Sequence, residues 1–223
     1  MRKLHFLLLL LFIVFFLGLA KFIVFSDKNF PDIHGTFIPN PVALENFVLI
    51  DHFGEPFTNR QLKGNWHIIS YGFTNCPDIC PTTLQVLTRF KKLLDEHKPG
   101  DELKVLFYTI DPQRDQYEHL GEYMKFFHSD FIGLTINSAQ PEISKPFNES
   151  LGIKVVFTEL PKEQQNEYTG TYSVSHGVML SLINPNGQLQ AVFRPQRSRD
   201  GTQFFTSEQV LKDYLRVRGF LES

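Results

Sequence analysis

The sequence predicts an α/β sandwich built on a mixed central sheet, with an apolar helix ahead of it. Three patterns lead there. From residue 47 onward, short apolar runs alternate with longer stretches of helical period. Near the end, Asn184-Pro185-Asn186-Gly187 joins two apolar runs, a hairpin signal because Asn-Gly tolerates positive φ. At the amino terminus, Arg2 and Lys3 precede an apolar run from Phe6 to Ala20, which resumes at Phe22 after Lys21.

The amino-terminal run, residues 6–25, reaches about 30 Å as a helix, the thickness of a hydrocarbon core. The basic residues before it predict a cytoplasmic amino terminus and an exported remainder. A cleaved signal peptide competes, since Gly18-Leu19-Ala20 offers a cleavage site. The run is long for a signal peptide and continues past that point, which favours a membrane anchor over residues 1–25. Either reading exports the rest, and a single-pass protein of the bacterial inner membrane with a periplasmic domain is expected. Residues 26–46 read as a polar, Pro-containing connector with no clear period, and residues 47–223 as one domain.

Within that domain, residues 47–50 are strand-like, and a Gly54-Glu55-Pro56 turn follows. Residues 67–71 form an apolar strand. Residues 81–97 have helical period, with Leu84, Leu87, Phe90 and Leu94 on one side. Strands at 105–110 and 132–136 bracket an amphipathic helix at 116–128, and 141–151 is a short helix. Strands at 178–183 and 188–193 make the hairpin. A last helix, 207–218, starts behind a Thr206/Gln209 capping box.

The chain of 223 residues is 42% hydrophobic and carries 23 Phe, enough to bury a core without metal or disulfide staples. With 14 Gly, 13 Pro and 2 Cys it is neither collagen-like, disordered nor disulfide-dense. The formal net charge of −2, without a long basic stripe, argues against a nucleic-acid partner. Three of the 22 basic residues lie in the amino-terminal segment, leaving 19 against 24 acidic ones in the exported part.

Both cysteines sit in Asn75-Cys76-Pro77-Asp78-Ile79-Cys80-Pro81, between a predicted strand and a predicted helix. Each precedes a proline, which disfavours helical ψ. The helix is therefore expected to start at Pro81 with Cys80 as its cap, and the partial positive charge of its amino terminus favours thiolate. A structural disulfide closing so small a loop stabilises by only about 2 kcal/mol, against about 3 for fifteen residues. The strand-to-helix corner, where α/β folds expose their sites, favours a functional pair. Two chemistries stay open: thiolates that select copper(I), with copper(II) held if an imidazole joins them, or a dithiol–disulfide couple. A catalytically idle adaptor fixed by a Cys76–Cys80 bond is the third reading. Among the histidines, His97, His119 and His128 lie on or at the ends of amphipathic helices, His5 lies at the expected membrane anchor, and His34, His52 and His67 carry no supporting signal. His176 follows a polar segment, 172–175, just before a buried strand, and on sequence alone is a candidate ligand or an ordinary loop histidine.

The stretch Tyr71-Gly72-Phe73-Thr74-Asn75-Cys76-Pro77-Asp78-Ile79-Cys80-Pro81-Thr82-Thr83-Leu84, with Leu62-Lys63-Gly64 before it, closely resembles the signature of the Sco/SenC family. Asp111-Pro112-Gln113-Arg114-Asp115 resembles its Asp-Pro-x-Arg-Asp segment, and residues 184–187 its hairpin turn; the likeness covers roughly residues 45–218. The resemblance implies a thioredoxin-like fold, one membrane anchor and an exported domain that binds one copper ion through Cys76, Cys80 and His176. It also implies a role at the binuclear copper site of cytochrome c oxidase subunit II, delivering copper or keeping its cysteines reduced. The family pattern puts an acid before the histidine and a serine after it, whereas Ser175 and Gly177 stand here, so a carboxylate that would orient the imidazole is missing. Asp111 and Asp115 are expected beside the site, Asp115 as the cap of the following helix. Arg194, Arg197 and Arg199 form a short basic cluster, either a solvated loop or a dock for an acidic partner.

Overall fold

The computed structural model describes residues 30–166 and 170–222, together with positions 5, 8, 11–13, 15 and 16. It forms two compact units, Met1–Pro31 and Asp32–Ser223. In the first, the described positions before Phe30 are helical, and the rings of Phe12 and Phe16 lie 4.6 Å apart. Most of the expected membrane helix lies outside the described residues, and among those described no helix is long and apolar enough to cross a membrane.

The second unit is built on an eight-stranded mixed sheet. Its strands are β1 (Gly35–Ala43), β2 (Val48–Asp51), β3 (Pro56–Thr58), β4 (His67–Gly72), β5 (Lys104–Thr109), β6 (Ile132–Ile136), β9 (Leu180–Ile183) and β10 (Gln188–Phe193), in the order β1-β10-β9-β4-β5-β6-β2-β3. The trio β4, β5 and β6 is parallel, and every other pairing is antiparallel. A separate ribbon pairs β7 (Val155–Glu159) with β8 (Tyr172–His176), and a second small one pairs β11 (Gln196–Arg197) with β12 (Gln203–Phe204).

Alternation along the central strands sorts their side chains into two cores. Ile68, Val105 and Phe107 pack on one face with α1 (Ile79–His97), α2 (Tyr117–Phe127) and α4 (Ser207–Glu222), through Leu84, Leu87, Phe90, Leu120, Met124, Val210 and Tyr214. Ile69, Leu106 and Tyr108 face the other way, onto α3 (Lys145–Leu151) through Phe147 and Leu151 and onto Phe47 and Leu62. β4 is buried along its whole length, as a central strand covered on both faces must be.

Three expectations are corrected here. Residues 35–43, read as connector, form β1 against β10: Ile38 and the other half-buried side chains are too few to leave an apolar period, and the strand is held by backbone pairing. The first helix begins at Ile79, not Pro81, because the first-turn N–H groups have no intrahelical acceptor, so a proline is tolerated at the third helical position as well as the first. The capping box is half formed: Gln209 N–H donates to Thr206 Oγ1 at 3.2 Å, while the Gln209 side chain reaches Asp213.

Candidate metal centre

Strand directions bring four segments to one end of the sheet. β4 and β5 are parallel, so the cysteine loop after β4 and Asp111–Asp115 after β5 leave the same edge. β9 is antiparallel to β4, with Leu180 opposite Ser70, so the chain bearing His176 enters β9 at that edge as well. β10 ends there too, its Phe193 opposite Leu180, and Arg194, Arg197 and Arg199 follow it, exposed and, among the described residues, without a carboxylate at ion-pair distance.

Cys76 lies in the loop and Cys80 in the first turn of α1. Both are buried, at 8% and 5% exposure, and both are free thiols. Gly72 makes room for them: a Cβ there would collide with Cys80 Sγ, and Phe107 Cε2 would lie at 3.4 Å. The two sulfurs share one proton unequally. The hydrogen bond from Cys80 draws the Cys76 thiol down to about 6 against the opposing effect of burial, with help from the backbone N–H groups of Cys80 and Asp78 and the charge of His176. The same bond, with burial, pushes Cys80 far up. Cys76 is thus the thiolate and Cys80 the proton holder.

His176 closes β8, opposite Val155, and is half-buried. It stands on a strand and not in a loop: residues 172–176 belong to a two-stranded ribbon, and five residues with serines on the outward face are too few and too polar to show a strand period. Its ring lies 5.7 Å from Tyr71 and 6.0 Å from Phe73 between centroids, and it lines one open cleft of about 380 Å³ with Cys76, Pro77 and Val174. Nδ1 stands 2.7 Å from the Gly177 carbonyl. A carbonyl only accepts, so Nδ1 donates to it, and Nε2 is the ring nitrogen left outside that contact and the one a metal would take from the neutral ring. The Gly177 carbonyl thereby does the orienting that the missing carboxylate would do. Even so, no group of three His, Cys, Asp or Glu side chains among the described residues is close enough to hold a metal ion, so Cys76 and His176 share the cleft while the two thiols and the imidazole do not converge.

Asp115 does not cap α2; Gln116 stands at that position and makes no side-chain cap bond. The buried Asp115 carboxylate instead accepts from Thr74 N–H at 2.9 Å, Thr74 Oγ1 at 2.5 Å and Thr109 Oγ1 at 2.6 Å. It ties the cysteine loop to the end of β5. Asp111, also fully buried, pairs with Arg114 and accepts from Tyr172 Oη at 2.7 Å, while the Arg114 guanidinium lies 4.4 Å over the Tyr172 ring. One five-residue segment therefore holds both arms of the site: Asp115 the thiol arm, Asp111 and Arg114 the imidazole arm. Nothing in the sequence marks Thr74, Thr109 and Tyr172 as partners of these carboxylates beyond the spacing of the two aspartates around Arg114.

The sequence model of the SCO1/SenC family matches residues 39–204. A Stutzerimonas stutzeri protein provisionally named as copper-binding is 38% identical over 74% of this chain and 76% of its own length. Among solved structures, Arabidopsis thaliana ScoI with copper bound is 27% identical, with a TM-score of 0.65 over 80% of this chain and 98% of that one. Yeast Sco1 with copper bound is 29% identical, with a TM-score of 0.62 over 78% of this chain and 87% of that one. The fold is accordingly the thioredoxin-like α/β sandwich of the Sco1 structures, and the chain belongs to the SCO1/SenC family.

Proposed function

We propose that this protein is an exported copper metallochaperone. It takes one copper ion as cargo on the Cys76 and Cys80 thiolates and the His176 imidazole, and serves assembly of the binuclear copper site in cytochrome c oxidase subunit II. The observation that carries the reading is a pair of buried free thiols, one ionised by the other, with Cys76 lining the same cleft as an imidazole whose Nδ1 is tied to a carbonyl and whose Nε2 lies outside that tie. Two soft sulfurs and one nitrogen suit copper in both oxidation states. The ribbon β7–β8 has to carry His176 across the cleft to complete the set, and its tie to Asp111 through Tyr172 limits how far it travels. Family membership and the copper-bound relatives support the cargo. We place residues 1–25 in the bacterial inner membrane as a single-pass anchor, with the domain in the periplasm and a connector shortened by β1. The reduced chain is expected to bind one copper(I) per molecule, and Cys76→Ala or Cys80→Ala to abolish stoichiometric binding. In cells, loss of the protein should lower oxidase copper content and added copper should restore it. Undiminished binding by both cysteine variants would refute the site, and normal oxidase copper without the protein would refute the role.

A second reading, thiol–disulfide exchange on exported substrates, draws on the same lowered Cys76 thiol, since a thiolate beside a proton-bearing partner is suited to attack a disulfide. Stopped-flow reduction of a disulfide substrate by the metal-free dithiol separates it from the first.

A further inference from the structure

The basic loop after β10 is bonded to the segment by which the chain enters the domain. Arg194 N–H donates to the His34 carbonyl at 2.9 Å, and His34 Nε2 lies 3.3 Å from the Pro195 carbonyl. Gly35, which opens β1, pairs with Phe193, which closes β10, so both segments leave the sheet at the end that carries the site. Arg197 ends β11, and Arg199 stands in the turn to β12, where Ser198 N–H donates to the Thr202 carbonyl at 3.0 Å. Arg194, Arg197 and Arg199 are exposed, and no carboxylate among the described residues lies at ion-pair distance from them. The two acids in the same segments are engaged elsewhere. Asp32 pairs with Arg216 at 3.2 Å, and Asp200 accepts from Ser198 Oγ and, at 3.1 Å, from Thr202 N–H. In an exported part with 19 basic residues against 24 acidic ones, three arginines within six positions reverse the local charge.

We infer that this loop is a docking surface for anionic phospholipid headgroups and sets how the domain stands on the membrane. The inference rests on the anchor placed over residues 1–25 in the reading above. From residue 25 to His34 is nine residues, and a fully extended chain of that length reaches about 30 Å. The arginines bonded to that root stay within a short reach of the bilayer, where an anionic surface attracts each of them over about a Debye length. Arginine suits the ligand, because its planar fork meets two phosphate oxygens at once. An acidic protein would satisfy the same charges; the bond between Arg194 and the root of the tether is what favours lipid. The arginine loop follows β10 and the cysteine loop follows β4, with β9 between them, so about 10 Å separates the two across the sheet. Docking therefore turns the copper end of the sheet toward the lipid surface.

Hydrogen exchange of the full chain in nanodiscs tests it, with discs of phosphatidylcholine alone and discs that also contain phosphatidylglycerol. Amides of residues 196–203 should exchange roughly fivefold more slowly in the anionic discs, the bias that one arginine at an anionic surface supplies. Residues 155–159, in the ribbon, should exchange alike in both. The difference should vanish at about 1 M sodium chloride, where the Debye length is about 3 Å. It should vanish as well in the variant Arg194→Gln/Arg197→Gln/Arg199→Gln, whose β10 keeps its protection. Equal exchange of the loop in the two kinds of disc overturns the inference, and so does a lipid difference that the triple variant retains. Slowing by poly-glutamate in neutral discs, with phosphatidylglycerol without effect, overturns it in favour of an acidic protein. A chain that fails to stay with the discs overturns the anchor instead, and this inference falls with it.

Discussion

At Cys76, the burial that would keep a thiol protonated is outweighed by the hydrogen bond from Cys80 and by backbone donors at the start of α1. An acid with a lowered pKa is ionised above that value, so iodoacetamide should alkylate reduced, metal-free protein at Cys76 with a half-maximal rate near pH 6, and leave Cys80 intact. Cys80→Ala removes the donor, and the profile should move toward that of an ordinary thiol; peptide mapping of the alkylated protein checks both. Gly72→Ala is the complementary test of space. Its methyl would push Cys80 Sγ out of the corner, with an overpacking cost of about 1–3 kcal/mol in denaturant titration and a raised Cys76 profile. The two cysteines and their corner are legible in the sequence because a strand signal, two prolines and a helical period bracket them. His176 is legible only through the family resemblance, for a histidine beside serine and glycine carries no periodic signal of its own. Asp115 is misread because capping is a local rule, whereas two of the three donors to its carboxylate come from Thr74, which only the parallel pairing of β4 and β5 brings near.

Among the elements, the central strands and helices follow from their apolar period, and the ribbon β7–β8 does not. Its inward face is only half-buried, Val155 and Val174 touching the core beside Tyr172 and His176, while Val156 and Phe157 are exposed, so the pattern gives no clear strand period. Besides its own ladder and the packing of Val155 and Val174, a long-range tie holds it, Tyr172 to the buried Asp111. Tyr172→Phe should speed hydrogen exchange at 155–159 and 172–176 while β4 and β5 keep their protection, and should hasten copper release because the imidazole arm is looser. Unchanged exchange in the ribbon would show that the backbone ladder alone fixes it. Asp115→Ala should cost more, about 2–3 kcal/mol in denaturant titration, because it strands the Thr74 N–H and two hydroxyls in a buried setting.

For the whole molecule, the sheet end carrying the site is remote from His67 at the start of β4, yet His67 governs how the domain meets acid. Burial lowers its imidazole from 6.5 to about 4. As pH falls below 6.5 the unfolded chain takes up a proton that the folded chain refuses until about 4, so stability falls across that window. Between pH 7 and 4.5 the unaltered chain should lose on the order of 2–3 kcal/mol more than His67→Gln in urea titrations; parallel curves would mean the ring is not desolvated. The central claim is that two thiolates and one distant imidazole close on a single copper, and its most direct test is electron paramagnetic resonance of the copper(II)-loaded chain beside His176→Ala. The account predicts one copper per chain with nitrogen hyperfine coupling that disappears in the variant. The same spectrum, with its nitrogen coupling intact after His176→Ala, would contradict it.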